Sequence, residues 1–132
     1  MSEGFNIDIV NPEKSFLLKE NVSEVVVPAY EGEMGILKDH IPIISFLKPG
    51  IIKVISGSEE HNFYVEDGIV EFKDNFLSIL TSYIFEVKQM DRSTLEENLR
   101  DAEKQLQNPD LSDQHRFLID QKIEVLKNIN LN

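Results

Sequence analysis

Glu31, Glu33 and His40 stand within ten residues of one another. Carboxylates beside an imidazole are the residue types of general acid–base catalysis or of a metal site. Acid–base work also needs an enclosed pocket that shifts a carboxyl group. Nothing in the sequence around these residues announces one. Gly32-Glu33-Met34-Gly35 reads as a turn, and its acids, like Glu59 and Glu60, read as solvated. The three histidines, His40, His61 and His115, are far apart, with no H-x-H or H-E-x-x-H spacing. With no cysteine, thiolate zinc sites and disulfides are excluded. No serine sits in G-x-S-x-G, and there is no G-x-x-x-x-G-K-[ST] or G-x-G-x-x-G loop. The expectation is a protein with no active site, cofactor or metal of its own.

The elements that would position these residues fall into two regions of different period. From Phe5 to about Val87 the pattern has period two with frequent breaks. Strands are expected at Phe5–Val10, Ser15–Glu20, Ser23–Val27, Gly50–Ser56, Asn62–Val65, Ile69–Phe72, Phe76–Thr81 and Ile84–Val87. Turn residues Asn11-Pro12, Gly57-Ser58, Asp67-Gly68 and Lys73-Asp74-Asn75 separate them. Many short strands with no helix between them predict an antiparallel sandwich or barrel.

The period changes near Met90. Leu95, Leu99, Ala102 and Leu106 fall on one face of a helix. Asp91 can cap its first turn, and Ser93 to Glu96 offers a competing capping box. Asn108-Pro109-Asp110 stops it. Ser112 or Asp113 starts a second helix, striped by Leu118, Ile119, Val125, Leu126 and Ile129. The short connection makes the pair an antiparallel hairpin. The expected layout is residues 1–87 as a β domain and 88–132 as a helical hairpin.

The chain has 132 residues, 41% of them apolar, enough for one packed core. Its formal net charge is -11, of which residues 1–86 carry -9, from six lysines and fifteen acids. An acidic body argues against nucleic acid or an anionic lipid surface as partner. Met1–Gly4 is polar and acidic, without the basic start and apolar stretch of a secretion signal. The apolar region Ile41–Ile55 is broken by Pro42, Lys48, Pro49, Gly50 and Lys53, too often for the ~20 apolar residues of a bilayer span.

The informative stretch is Val27-Pro28-Ala29-Tyr30-Glu31-Gly32-Glu33-Met34-Gly35-Ile36-Leu37-Lys38-Asp39-His40-Ile41-Pro42, followed by Leu47-Lys48-Pro49-Gly50. It resembles the signature of bacterial-like, F-type ATP synthase epsilon subunits, in which a strand runs into G-E-x-G-I-L, then His-x-Pro, then L-K-P-G. The resemblance extends over nearly the whole chain, through Phe5–Val10, Gly68-Ile69-Val70-Glu71, Phe76–Thr81 and the helix start at Asp91. Two departures are Lys38-Asp39, where Pro-Gly is usual, and Asp67-Gly68, where Gly-Gly is common.

The resemblance implies a flattened ten-stranded antiparallel β-sandwich followed by the two-helix hairpin. It implies a non-catalytic central-stalk subunit that couples c-ring rotation through the gamma subunit to ATP synthesis. Such a protein is peripheral, at the cytoplasmic face of the bacterial inner membrane. Glu31, Gly32, Glu33 and His40 are the implied c-ring contacts, as one turn. Gly35, Pro42, Pro49, Gly50 and Gly68 are the turn-shaping positions. Gamma is expected on an apolar face of the sandwich, and the hairpin is the implied route to the catalytic beta or alpha subunits. A second reading is a nucleotide sensor whose hairpin binds ATP. Relatives that bind it carry I-D-x-x-R-A at the first helix start. Here Asp91 is retained, Thr94 stands at the arginine position and Leu95 at the alanine, so no nucleotide binding is expected.

Overall fold

In the computed structural model, residues 4–129 are described, apart from the side chain of Lys14. The acidic start Met1–Glu3 and the last three residues lie outside them. Ten strands come first: β1 Phe5–Asn11, β2 Lys14–Val22, β3 Glu24–Ala29, β4 Gly32–Leu37, β5 Ile43–Leu47, β6 Gly50–Ser56, β7 Glu59–Val65, β8 Gly68–Lys73, β9 Phe76–Leu80 and β10 Ile84–Glu86. A 3-10 turn at Val87–Gln89 leads to α1, Arg92–Gln105, and α2, Asp113–Lys127. Among the described residues no helix is long and apolar enough to cross a membrane.

The strands follow the order β10-β7-β6-β3-β5-β8-β9-β1-β2, with β4 also paired to β3. The sheet folds over at β3, whose only register pair with β5 is Ala29 with Leu47. Two layers result, β10-β7-β6-β3-β4 and β5-β8-β9-β1-β2. One pairing departs from the antiparallel expectation: β1 lies parallel to β9, Asn6 opposite Phe76 through Val10 opposite Leu80. Alternate residues of each strand meet between the layers. Phe5, Ile7, Ile9, Val25, Val27, Ile36, Phe63, Phe72, Leu77 and Ile79 are among the side chains buried there.

Two sequence expectations are corrected. Gly32-Glu33-Met34-Gly35 is strand, not turn, paired residue for residue with Val26–Ala29. The two-residue connection Tyr30-Glu31 closes that hairpin, so Gly35 shapes no turn and lies opposite Val26. Strand β2 runs further at both ends than the expected Ser15–Glu20.

The β6–β7–β10 layer is covered on both faces. Phe63 and Val65 point into the sandwich, while Tyr64 is fully buried on the other side beneath the helices. Leu95 from the start of α1 and Leu126 from the end of α2 join Tyr64 and Met90 in a second cluster. At the far end Arg116 of α2 donates to the Leu106 carbonyl at 3.3 Å. The helices are therefore antiparallel. Asp91 caps α1, accepting from Thr94 N–H at 2.7 Å, and Ser112 caps α2, accepting from His115 N–H at 3.1 Å. The expected stripe of α2 omitted Ile123, which is buried beside Leu126 at the same face.

Candidate docking surfaces

Among the described residues the outer face of the β5-β8-β9-β1 layer is largely exposed, with Gln114 of α2 at the rim of one end. Register places Phe46 opposite Ile69, Ile69 opposite Leu80, and Leu80 beside Val10. Four apolar side chains thus form one row across four strands. Phe46 is 60% exposed, Ile69 42% and Leu80 50%, with Ile44 at 68% beside them. A contiguous exposed apolar row of this kind is a candidate contact site. The middle of the next row is polar, Glu71 opposite Ser78 and Ser78 beside Asp8, with Ile44 and Leu18 at its two ends. The face is apolar at one end and acidic in its middle.

Tyr30 and Glu31 stand at the apolar end, where they line one shallow groove with Phe46, Ile69 and Leu80. Asp67 closes the same end. Its carboxylate accepts from Ser82 Oγ at 2.8 and 2.7 Å, from Ser82 N–H at 3.1 Å and from Thr81 Oγ1 at 3.3 Å. The neighbouring Gly68 has φ +154°, and a Cβ there would stand 2.8 Å from the Leu80 carbonyl oxygen. Gly50 meets a similar obstacle, because its Cβ would lie 2.4 Å from Pro28 Cβ.

Glu31, Glu33 and His40 do not form one turn, contrary to the sequence expectation. Glu33 turns toward the hairpin side, where it shares a groove with Lys48, with Gln121 and Glu124 of α2 and with Asn128 just after it. His40 lies beyond the other end of β4 from Glu31, and six strand residues span ~20 Å. There its Nδ1 lies 2.7 Å from the Ile41 carbonyl oxygen and its ring meets Phe72 edge-on at 6.0 Å. The reason is the pairing of Gly32–Leu37 with β3, which straightens a segment whose glycines read as a turn. Pro42 follows His40 into β5, and Pro49 precedes β6. Asp39 has φ +67° and is tied to Asn75, accepting from its Nδ2 at 2.9 Å and donating its own N–H to Oδ1 at 2.7 Å. That reciprocal pair accounts for an aspartate at a position where the resemblance expects glycine.

The third surface lies between hairpin and sandwich. Lys122 of α2 sits 2.9 Å from Glu66, which also accepts from Tyr64 Oη at 3.0 Å. Burial, with the adjacent Glu66 charge, pushes the Tyr64 hydroxyl far above its ordinary range, so it stays protonated and donates. Two of the three α2 cations, Arg116 and Lys122, are thus engaged within the chain. Among the described residues no group of three or more His, Asp or Glu is placed to hold a metal ion.

A family model described as the beta-sandwich domain of the ATP synthase Delta/Epsilon chain matches residues 4–87. The ATP synthase epsilon chain of Pelagibacter ubique (strain HTCC1062) is 66% identical over 130 residues, covering 98% of this chain and all of that one. The chain belongs to the ATP synthase epsilon chain family.

More distant epsilon chains agree. That of Chelativorans sp. (strain BNC1) is 33% identical, with 81% of this chain and 79% of the relative covered. Two solved assemblies contain chains of the same fold. One is the Euglena gracilis mitochondrial ATP synthase, OSCP/F1/c-ring, with TM-score 0.75, 22% identity and coverage of 95% and 78%. The other is the Tetrahymena thermophila mitochondrial ATP synthase central stalk/c-ring, with TM-score 0.64, 16% identity and 92% of each chain covered. The surfaces above are therefore those of an epsilon chain. Phe46, Ile69, Leu80 and Val10 were not singled out from sequence. A signal was present: Ile43-Ile44-Ser45-Phe46-Leu47 and Gly68-Ile69-Val70 put apolar residues on both faces of a strand, which implies a cover on both sides.

Proposed function

We propose that this chain is a non-catalytic rotor subunit that couples c-ring rotation through gamma to ATP synthesis at the cytoplasmic face of a bacterial inner membrane. The observation that carries the reading is the uncovered row Val10–Leu80–Ile69–Phe46, which is a docking face for gamma. A chain with such a face acts by being held against a partner. The Tyr30–Glu33 end is the c-ring contact, since Glu31 and Gly32 sit at an exposed hairpin end adjoining the apolar row. His40, at the opposite end of β4, is not part of that contact. The test is binding of the full chain to purified gamma. Wild type is expected to bind, and Phe46→Asp to lose at least tenfold in affinity with unchanged thermal stability. Failure of wild type to bind gamma defeats the rotor reading.

The hairpin belongs to a docked, weakly inhibitory state. Its stripe is used on Tyr64 and Met90, and two of its cations are paired within the chain. The nucleotide-sensing reading gains nothing from the geometry, because the Asp91 carboxylate is occupied by the Thr94 amide.

A further inference from the structure

The groove at the apolar end of the sandwich is built by both parts of the chain. Phe46, Ile69 and Leu80 line it from the sandwich, Tyr30 from the β3–β4 turn and Gln114 from the first turn of α2. Gln121 of the same helix lines a second groove with Glu33. The helical period puts residues 114, 117 and 121 within a sector of about 60°. Phe117 therefore lies on the face of α2 that borders the Tyr30–Glu33 end. Elsewhere α2 buries large apolar side chains, Ile123 and Leu126 among them, yet Phe117 is 50% exposed and Tyr30 44%. Two aromatic side chains, one from each part, thus stand open beside the end of the apolar row. Aromatic residues are enriched where proteins meet.

Gln114 reaches this groove because the hairpin is docked. Leu95 and Leu126 pack on Tyr64, and Lys122 sits 2.9 Å from Glu66. We propose that the docking face for gamma is composite, with α2 forming one wall through Gln114 and Phe117, so that bound gamma and the docked hairpin stabilise each other. Gamma's place on the apolar row is taken from the function proposed above. The wall that only a docked hairpin supplies is the addition.

The groove selects the segment of gamma it takes. Its floor is apolar, and among the described residues its lining carries Glu31 and Asp67 but no lysine or arginine. Asp67 is engaged by Ser82 and Thr81, which leaves the Glu31 carboxylate open. An apolar segment with a lysine or arginine beside it is complementary, and an acidic one is repelled. A partner that touches both walls binds the docked form more tightly than a form with α2 displaced. By the same factor it favours docking.

The experiment is binding of purified gamma to the full chain, joined to amide hydrogen exchange of residues 121–126 with and without gamma. Phe117→Ser is expected to lose roughly three- to tenfold in affinity, against at least tenfold for Phe46→Asp. Without gamma this variant should exchange like wild type, because the side chain it loses is half exposed. Gamma should slow exchange in α2 of wild type by roughly threefold or more, and by less in Phe117→Ser. Loss of affinity in Phe46→Asp with none in Phe117→Ser overturns the composite wall and leaves the gamma face standing. Unchanged or faster exchange of α2 in the presence of gamma also overturns it, since gamma then ignores or displaces the hairpin. Wild type that does not bind gamma defeats the gamma face and the composite wall together.

Discussion

Single residues in this protein differ sharply in what their position demands. Gly68 and Gly35 look alike in sequence, yet only one is held by the backbone around it. A side chain at Gly68 meets the Leu80 carbonyl at 2.8 Å in a positive-φ conformation, so Gly68→Ala should cost ~1–3 kcal/mol in urea unfolding. At Gly35 the nearest atom is the mobile Glu24 Oε2 at 3.3 Å. Gly35→Ala should stay within about 0.5 kcal/mol of wild type in the same assay. Asp91 is a second case. The Thr94 amide holds its carboxyl below the usual aspartate range. Its support of α1 is therefore present above the ordinary aspartate value near ~3.9 and lost as pH falls through the lower folded value. Circular dichroism should show Asp91→Ala frayed at neutral pH and Asp91→Asn close to wild type, with the acid-dependent step gone from both.

At the level of elements, the hairpin is held by an apolar cluster supplemented by one polar link. Leu126 is completely buried against Tyr64, Leu95 and Met90. Leu126→Ala should cost ~2–5 kcal/mol, the range for a buried leucine, and detach the helices from β7. Lys122→Ala breaks the link to Glu66, but both side chains keep some solvent. Its effect should be at most ~1 kcal/mol. Fluorescence of a probe on α2 distinguishes the two, with a large change for Leu126→Ala and little for Lys122→Ala. If the lysine variant detaches the hairpin as fully as the leucine variant, the ion pair and not the apolar cluster is the main hold. Asp67 works at the same scale, gathering Thr81 and Ser82 so that the β7–β8 and β9–β10 connections end together beside the apolar row.

For the whole molecule, one layer covered on both faces and one with a bare outer face set what assembly can do. The β6–β7–β10 layer is shielded by the helices, while the β5-β8-β9-β1 face keeps large apolar side chains exposed. With the hairpin docked, removal of residues after Val87 should leave ATP hydrolysis by the assembled enzyme within about twofold of the intact complex. A several-fold rise on truncation would show an inhibitory hairpin. Docking to the sandwich uses Leu95 and Leu126, so an extended hairpin would have to rebury both elsewhere.

Family membership, the division into strands and then helices, and the Asp91 cap were legible in the sequence, because each rests on neighbours within a few residues. The G-E-x-G-I-L run identified the family even though its glycines were misread as a turn. What decided their conformation is the antiparallel partner Val26–Ala29, an element that spacing alone does not reveal. The same holds for the scattered Glu31, Glu33 and His40 and for the parallel Asn6–Phe76 pairing that completes the apolar row. Side-chain alternation says which residues share a face of one strand. Which strands lie side by side, and in which register, follows from burying all their apolar faces at once, and that is settled only by the closed tertiary structure.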